Sequence, residues 1–252
     1  MDFELKFKLA DLTSNFLSFF VKYKKNSVLL YHSVDKINSK NYNLDTVNLD
    51  SFLNQMKILS SSNFYKRLAP LDLNLNKIGS ISVTFDDGYI DNINFVYPII
   101  SKFNIPVTIF ICKELIGQNG YLNKKDIEFL SKQKNIIIGS HSFSHIPLGN
   151  LSIPAVKEEL VKSKYFLEDI TNTNIELFSY PYGSYNKKIL ELLQDYNIYK
   201  IACCSISKTF KPDNISKFLI PRIPIWYLDN NYTFINKLNS NWDWTSFFTN
   251  KQ

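Results

Sequence analysis

A chain of 252 residues, 45% hydrophobic and 21% charged, is long enough for one sizeable core and has the composition of an ordinary globular domain rather than a disordered or fibrous one. Its formal net charge of +6 comes with no basic cluster interleaved with aromatics, which argues against nucleic-acid binding. No stretch approaches the ~18 to 20 apolar residues of a membrane helix.

Near the N-terminus the longest apolar run, residues 16–21, is too short for a signal-peptide core, and no small-residue cleavage site follows it. The three cysteines include the adjacent Cys203 and Cys204. Neighbours on a strand point to opposite faces, so a structural disulfide is not expected and the cytoplasm is the expected compartment.

Leu5, Leu9, Leu12, Phe16, Phe19 and Tyr23 recur at spacings of three and four, followed by Lys22, Lys24 and Lys25. Residues 1–26 are therefore read as an amphipathic helix packed on a single domain of residues 27–252. Contact of that helix with the inner face of a membrane is the sharper alternative. Residues 27–31 form a first strand ending at His32, and 33–48 a polar loop on the rim of a cleft. Asp50 is expected to cap a helix through Phe52, Met56 and Leu59. Strand 80–85 ends in Asp86-Asp87-Gly88, and 91–103 is helical with a kink at Pro98. Then come strand 106–111, helix 123–132, strand 136–140, helix 152–170, strand 176–180, helix 186–196, strands 199–204 and 218–223, and helix 232–238.

Strand alternating with helix implies a parallel sheet with right-handed crossovers. An open dinucleotide-binding sheet is the rival, but there is no Gly-x-Gly-x-x-Gly among only seven glycines. His32, Asp86, Asp87, His141 and Tyr182 all fall just after strands. In a closed α/β barrel those ends share one rim.

Two adjacent carboxylates repel, and a bound metal or a shared proton would offset that cost. His141-Ser142-Phe143-Ser144-His145 holds two of the chain's three histidines. A carboxylate with such a pair makes a three-ligand set that leaves coordination positions open. Taken alone, Asp-Asp-Gly is commonly a turn; the joint pattern is what points to a metal. The same donor set also suits a non-haem iron oxygenase.

Thr84-Phe85-Asp86-Asp87-Gly88, His141 to His145 and Ser179-Tyr180-Pro181-Tyr182-Gly183 resemble the first three motifs of the polysaccharide deacetylase (NodB-homology) family, across roughly residues 27–225. The resemblance implies a distorted, TIM-like barrel, usually of seven parallel strands. It implies a divalent cation on Asp87, His141 and His145, zinc first, with cobalt, nickel, manganese or iron as alternatives. Asp86 is then the general base, and the backbone N–H of Tyr182 an oxyanion donor. Tyr180, Pro181, Tyr182 and Gly183 are expected along the substrate. That substrate would be an N-acetylated amino sugar of a bacterial surface glycan, polymeric or lipid-linked, with formyl and O-acetyl groups as alternative leaving acyls.

Two positions depart from the family pattern. Ser179 stands where members often carry an arginine that orients the base; Arg222 either reaches the same aspartate from another direction or forms a plain surface ion pair. No histidine follows His145, so the family's late acid is missing; His32 is the candidate acid, return of the proton by the metal-bound water is the alternative, and a sugar-binding protein without turnover is the contrasting reading. The aromatic tail, Trp242, Trp244, Phe247 and Phe248, could stack on sugar, lie against lipid or fold back over the domain.

Overall fold

The β-branched and aromatic runs of the chain build one curled sheet with helices on its outside. The computed structural model describes residues 3–17, 25–36, 43–72 and 78–246. In chain order the elements are α1 (Phe3–Leu17), β1 (Ser27–Tyr31), β2 (Ser33–Asp35), β3 (Thr46–Asn48), α2 (Leu49–Ser60), α3 (Ser62–Tyr65), β4 (Ile81–Phe85), α4 (Tyr97–Phe103), β5 (Val107–Ile111), α5 (Lys124–Ser131), β6 (Ile136–Ser140), α6 (Ile153–Thr171), β7 (Leu177–Ser179), α7 (Lys187–Tyr196), β8 (Ile201–Cys203), β9 (Ile223–Pro224) and α8 (Asn231–Leu238). Seven strands form one parallel sheet in the order β8-β7-β6-β5-β4-β1-β9. Segment 220–225 spans its two ends: Ile220 exchanges bonds with Ala202 and Cys204 beside β8, and the Ile225 N–H bonds Leu30 O beside β1. The result is the expected distorted barrel, a seven-stranded parallel sheet curled on itself.

Strands buried on both faces sort their side chains into two layers. Leu29, Tyr31, Ile81, Val83, Phe85, Ile109 and Ile138 join the large core beneath the helices. Val28, Phe110, Leu177, Ile201, Cys203 and Ile220 form a smaller inner cluster. With few glycines, the chain ends α4, α6 and α7 on left-handed asparagines, Asn104, Asn172 and Asn197, the residue that best tolerates that conformation after glycine.

The structure differs from the sequence reading in several places. The loop 33–48 contains the short parallel pair β2 and β3. Asn48, not Asp50, caps α2, its side chain accepting from Asp50 N. Pro98 sits in the first turn of α4 after a π-helical turn over 92–96, so it opens a helix rather than kinking one. Of the strand expected over 218–223, regular pairing to β1 begins only at Ile223, since Pro221 has no N–H to give a ladder.

The N-terminal helix also turns the opposite way. Phe7, Ala10 and Ser14 are buried, while Leu9 and Leu12 are 46% and 68% exposed. Phe7 packs on Trp242 at 5.1 Å and on Trp226 at 6.2 Å, and this aromatic surface decides which stripe faces inward. Trp244 donates to Ser14 Oγ, so the described part of the aromatic tail folds back over α1. Phe247 and Phe248 lie outside the described residues, as do Phe19, Lys22, Tyr23 and Lys24. Lys25 pairs with Asp243. Among the described residues no helix is long and apolar enough to cross a membrane.

Candidate metal centre and its cleft

β4 delivers the two aspartates to the barrel rim, and the backbone between them decides what each does. Asp86 N bonds Tyr31 O, continuing the sheet. Asp87 then takes φ 73° and Gly88 φ 78°, a turn that points the two carboxylates at different partners. Adjacent like charges are thereby separated without either leaving the site.

Asp86 turns to Arg222, which is fully buried. Nη1 and Nη2 of the guanidinium reach Oδ1 and Oδ2 at 2.7 Å each. Ser179 Oγ completes the arrangement, accepting from Arg222 Nη2 at 2.7 Å and donating to Asp86 Oδ2 at 3.1 Å. Burial acts to raise the Asp86 carboxyl, but the Arg222 charge, aided by His141, holds it well below the usual range. Arg222 spends its remaining donors on Cys204 O and Thr84 Oγ1. Arg222, the residue before β9, thus reaches Asp86 from another direction, and Ser179 joins the pair through its hydroxyl.

Asp87 turns to the histidines. His141 Nε2 lies 3.4 Å and His145 Nε2 2.9 Å from Asp87 Oδ1. One ligand atom from each of the three residues lies within 4.8 Å of the others. His141 Nδ1 is 2.8 Å from Ser179 O. A carbonyl only accepts, so Nδ1 carries the proton and Nε2 keeps its lone pair. Burial pushes the His141 imidazole below its ordinary pKa against the pull of Asp86 and Asp87, which keeps it neutral. Asp87 Oδ1 is buried without a hydrogen-bond partner. A buried carboxylate oxygen faced by the lone pair of His141 Nε2, with His145 Nε2 converging on the same oxygen, fits a bound divalent cation.

The four-residue spacing of the histidines does not come from a helix. Residues 141–147 are loop, and Ser142 and His145 adopt φ 67° and 56° to bring both rings to one side. Ser142 Oγ accepts from His145 N at 3.1 Å.

The trio opens on a cleft of about 370 Å³. His32 lines it, as its place after β1 suggests. Asn43 and Asp45, among the described residues of the 33–48 segment, line it too. Of the four residues expected along the substrate, only Tyr182 is on the cleft wall, exposed, left-handed at φ 57° and with its ring 4.9 Å from His145. Tyr180 and Pro181 are buried, Tyr180 donating inward to Phe218 O, while Gly183, without a side chain, lies against Ser205 on the cleft lining. Sequence alone does not single out Tyr89 and Tyr121, whose stacked rings, 4.8 Å apart, form the opposite wall. The signal for Tyr89 was its position directly after Asp-Asp-Gly; nothing local marks Tyr121.

A family model described as polysaccharide deacetylase matches residues 75–201, about half of the chain. The Bacillus subtilis protein named "Putative polysaccharide deacetylase YxkH" is 31% identical over 174 residues, covering 66% of this chain and 60% of the relative's own length. A Staphylococcus aureus poly-beta-1,6-N-acetyl-D-glucosamine N-deacetylase is 26% identical, with 81% of each chain covered. Among solved structures, the Streptococcus pyogenes deacetylase PplD in complex with acetate superposes with a TM-score of 0.72 at 25% identity, over 86% of this chain and 99% of that one.

Proposed function

The chain belongs to the polysaccharide deacetylase family, and from that membership we propose that it is a metal-dependent hydrolase removing the N-acetyl group from an amino sugar of a bacterial surface glycan or its lipid-linked precursor. The observation that carries this reading is the convergence of Asp87, His141 and His145 beside a second, independently held carboxylate. The names of the Staphylococcus aureus and Streptococcus pyogenes relatives support the deacetylase chemistry.

A divalent cation on the trio, zinc in this proposal, supplies a water of lowered pKa and polarises the acyl carbonyl. The chain's own residues do the rest. Asp86, kept ionised by Arg222, accepts the proton of the attacking water. Its Oδ2 lies 3.8 Å from His141 Nε2, so the accepting carboxylate borders the trio. The Tyr182 N–H serves the developing oxyanion; one such donor is typically worth about 3 kcal/mol in the transition state. His32, on the same cleft, gives a proton to the departing amine. Tyr89, Tyr121 and Tyr182 present flat faces on which sugar rings can rest.

The test is to incubate the protein, loaded in parallel with zinc and with iron(II), with a panel of N-acetylated glycans and lipid-linked sugars, following acetate and oxygen. Acetate release without oxygen uptake, lost in Asp86→Asn, is the expected result. Oxygen uptake would point to the oxygenase reading. Tight glycan binding with no acetate would make the protein a sugar-binding module.

A further inference from the structure

Three groups aim at the metal position, and two are held by their own hydrogen bonds or by the sheet. Asp87 leaves the end of β4, and the His141 ring is pinned through Nδ1 to Ser179 O. Apart from its approach to Asp87, the His145 ring has no such hydrogen bond among the described residues, only the rings of His141 and Tyr182 beside it. The position of its Nε2 therefore depends on the backbone of the loop.

That backbone is bent at two non-glycine residues, Ser142 and His145, a conformation that persists only where surrounding contacts impose it. Between them, two consecutive N–H groups point at one oxygen. Glu159 Oε2 accepts from Phe143 N at 3.0 Å and from Ser144 N at 2.9 Å, and Oε1 accepts from Ser144 Oγ. Successive N–H groups beside a left-handed residue form a concavity for an anion, and here the anion is a side chain. It is carried by α6, a firm support: Val156, Leu160 and Leu167 are buried, Ser163 bonds Ser140, and Leu160 O accepts from Tyr199. Glu159 thus ties the ligand loop to a helix that itself touches no ligand in the site.

Building on the metal-dependent reading above, we propose that Glu159 is a positioning residue: its carboxylate holds the 142–145 bend that aims His145 Nε2 at Asp87, and so sets the affinity for the metal. Outer partners of metal ligands typically change affinity by about 10- to 100-fold when removed.

The experiment compares zinc dissociation constants, by competition with a chromophoric chelator, and thermal unfolding for the wild type, Glu159→Ala, Glu159→Gln, Leu167→Ala and Asp87→Ala. Glu159→Ala should weaken zinc binding by at least about 10-fold. Glu159→Gln, which keeps an acceptor but loses the charge, should fall between it and the wild type. Leu167→Ala should lower the melting temperature with zinc affinity unchanged, separating positioning from stability. A folded Glu159→Ala that binds zinc within about twofold of the wild type, or a Leu167→Ala that loses as much affinity, overturns the proposal. If Glu159→Ala does not fold, unchanged affinity in Glu159→Gln overturns it instead. A wild type that binds no zinc, or an Asp87→Ala that binds it as well, would overturn the metal reading itself and this inference with it.

Discussion

Arg222 meets Asp86 in a two-pronged ion pair, both bonds 2.7 Å, across 136 residues of sequence and out of contact with solvent. A guanidinium fork matches a carboxylate in a way an ammonium does not. Removing one partner leaves the other charged and buried, which typically costs about 3–5 kcal/mol. Arg222→Ala should therefore lose stability of that order in urea unfolding, and Arg222→Lys should recover only part of it. The double variant Arg222→Ala, Asp86→Asn should be more stable than Arg222→Ala alone, because no buried charge is stranded. Simple additivity of the two substitutions would show that the pair contributes little.

Metal binding should be visible as stability. A ligand at a thousand times its Kd stabilises by about 4 kcal/mol. Zinc should raise the melting temperature of the wild type and of Asp86→Asn, and a chelator should reverse it. Asp87→Ala, His141→Ala and His145→Ala should show no shift. If Asp86→Asn lost the shift while Asp87→Asn kept it, the roles given to the two aspartates would be exchanged.

His32→Ala separates acid from ligand. The residue lines the cleft but is not among the trio. Turnover should fall by about 100-fold or more, the usual contribution of a positioned proton donor, with zinc affinity unchanged. Wild-type turnover in this variant would remove His32 from the mechanism.

Asp91 gives the native state a pH dependence away from the trio. Burial raises its carboxyl to about 6, against hydrogen bonds from Ser33 and Asn92. An unfolded carboxyl titrates near ~3.9. Between about 4 and 6 the native chain holds a proton the unfolded chain has released, so this residue's contribution to stability falls as pH rises through that window. Above it the ionised form costs at most about 3 kcal/mol. Asp91→Asn keeps a partner for the Ser33 hydroxyl and avoids that cost. Its melting temperature should match the wild type near pH 4 and exceed it at pH 7.5; a constant difference across the range would refute the assignment.

The face of α1 is open to the same kind of test. Phe7→Ala empties a site between Trp226 and Trp242 and should cost about 3 kcal/mol. Leu12→Ser, on the exposed side, should stay within about 0.5 kcal/mol of the wild type. Both should retain the zinc affinity of the wild type, since α1 contributes nothing to the trio. A larger loss from Leu12→Ser than from Phe7→Ala would turn the helix around.

Much of the site could be read from residue order because its ligands are local to strand ends. Asp86-Asp87 and His141 to His145 each follow a β-branched run, and parallel strands with helical crossovers must bring those ends to one rim. His32 followed by the same logic. Where periodicity was ambiguous it misled: α1 carries apolar residues on more than one face, and Leu9 and Leu12 of the expected stripe are exposed while Phe7 and Ala10 are buried.

The order of residues by itself therefore determined the parallel α/β architecture and pointed to a carboxylate and a histidine pair on one rim as candidate metal ligands, because strand propensity and the chemistry of each strand end act over a few neighbouring residues. Only the tertiary structure decided which aspartate faces which partner, that Arg222 pairs with Asp86 beside Ser179, and that Glu159 accepts hydrogen bonds from the loop between the histidines. Those outcomes depend on left-handed backbone at Asp87, Ser142 and His145 and on pairings across barrel closure. Such conformations are strained or distant when taken residue by residue, and they become favourable only once the surrounding packing supplies the hydrogen bonds that hold them.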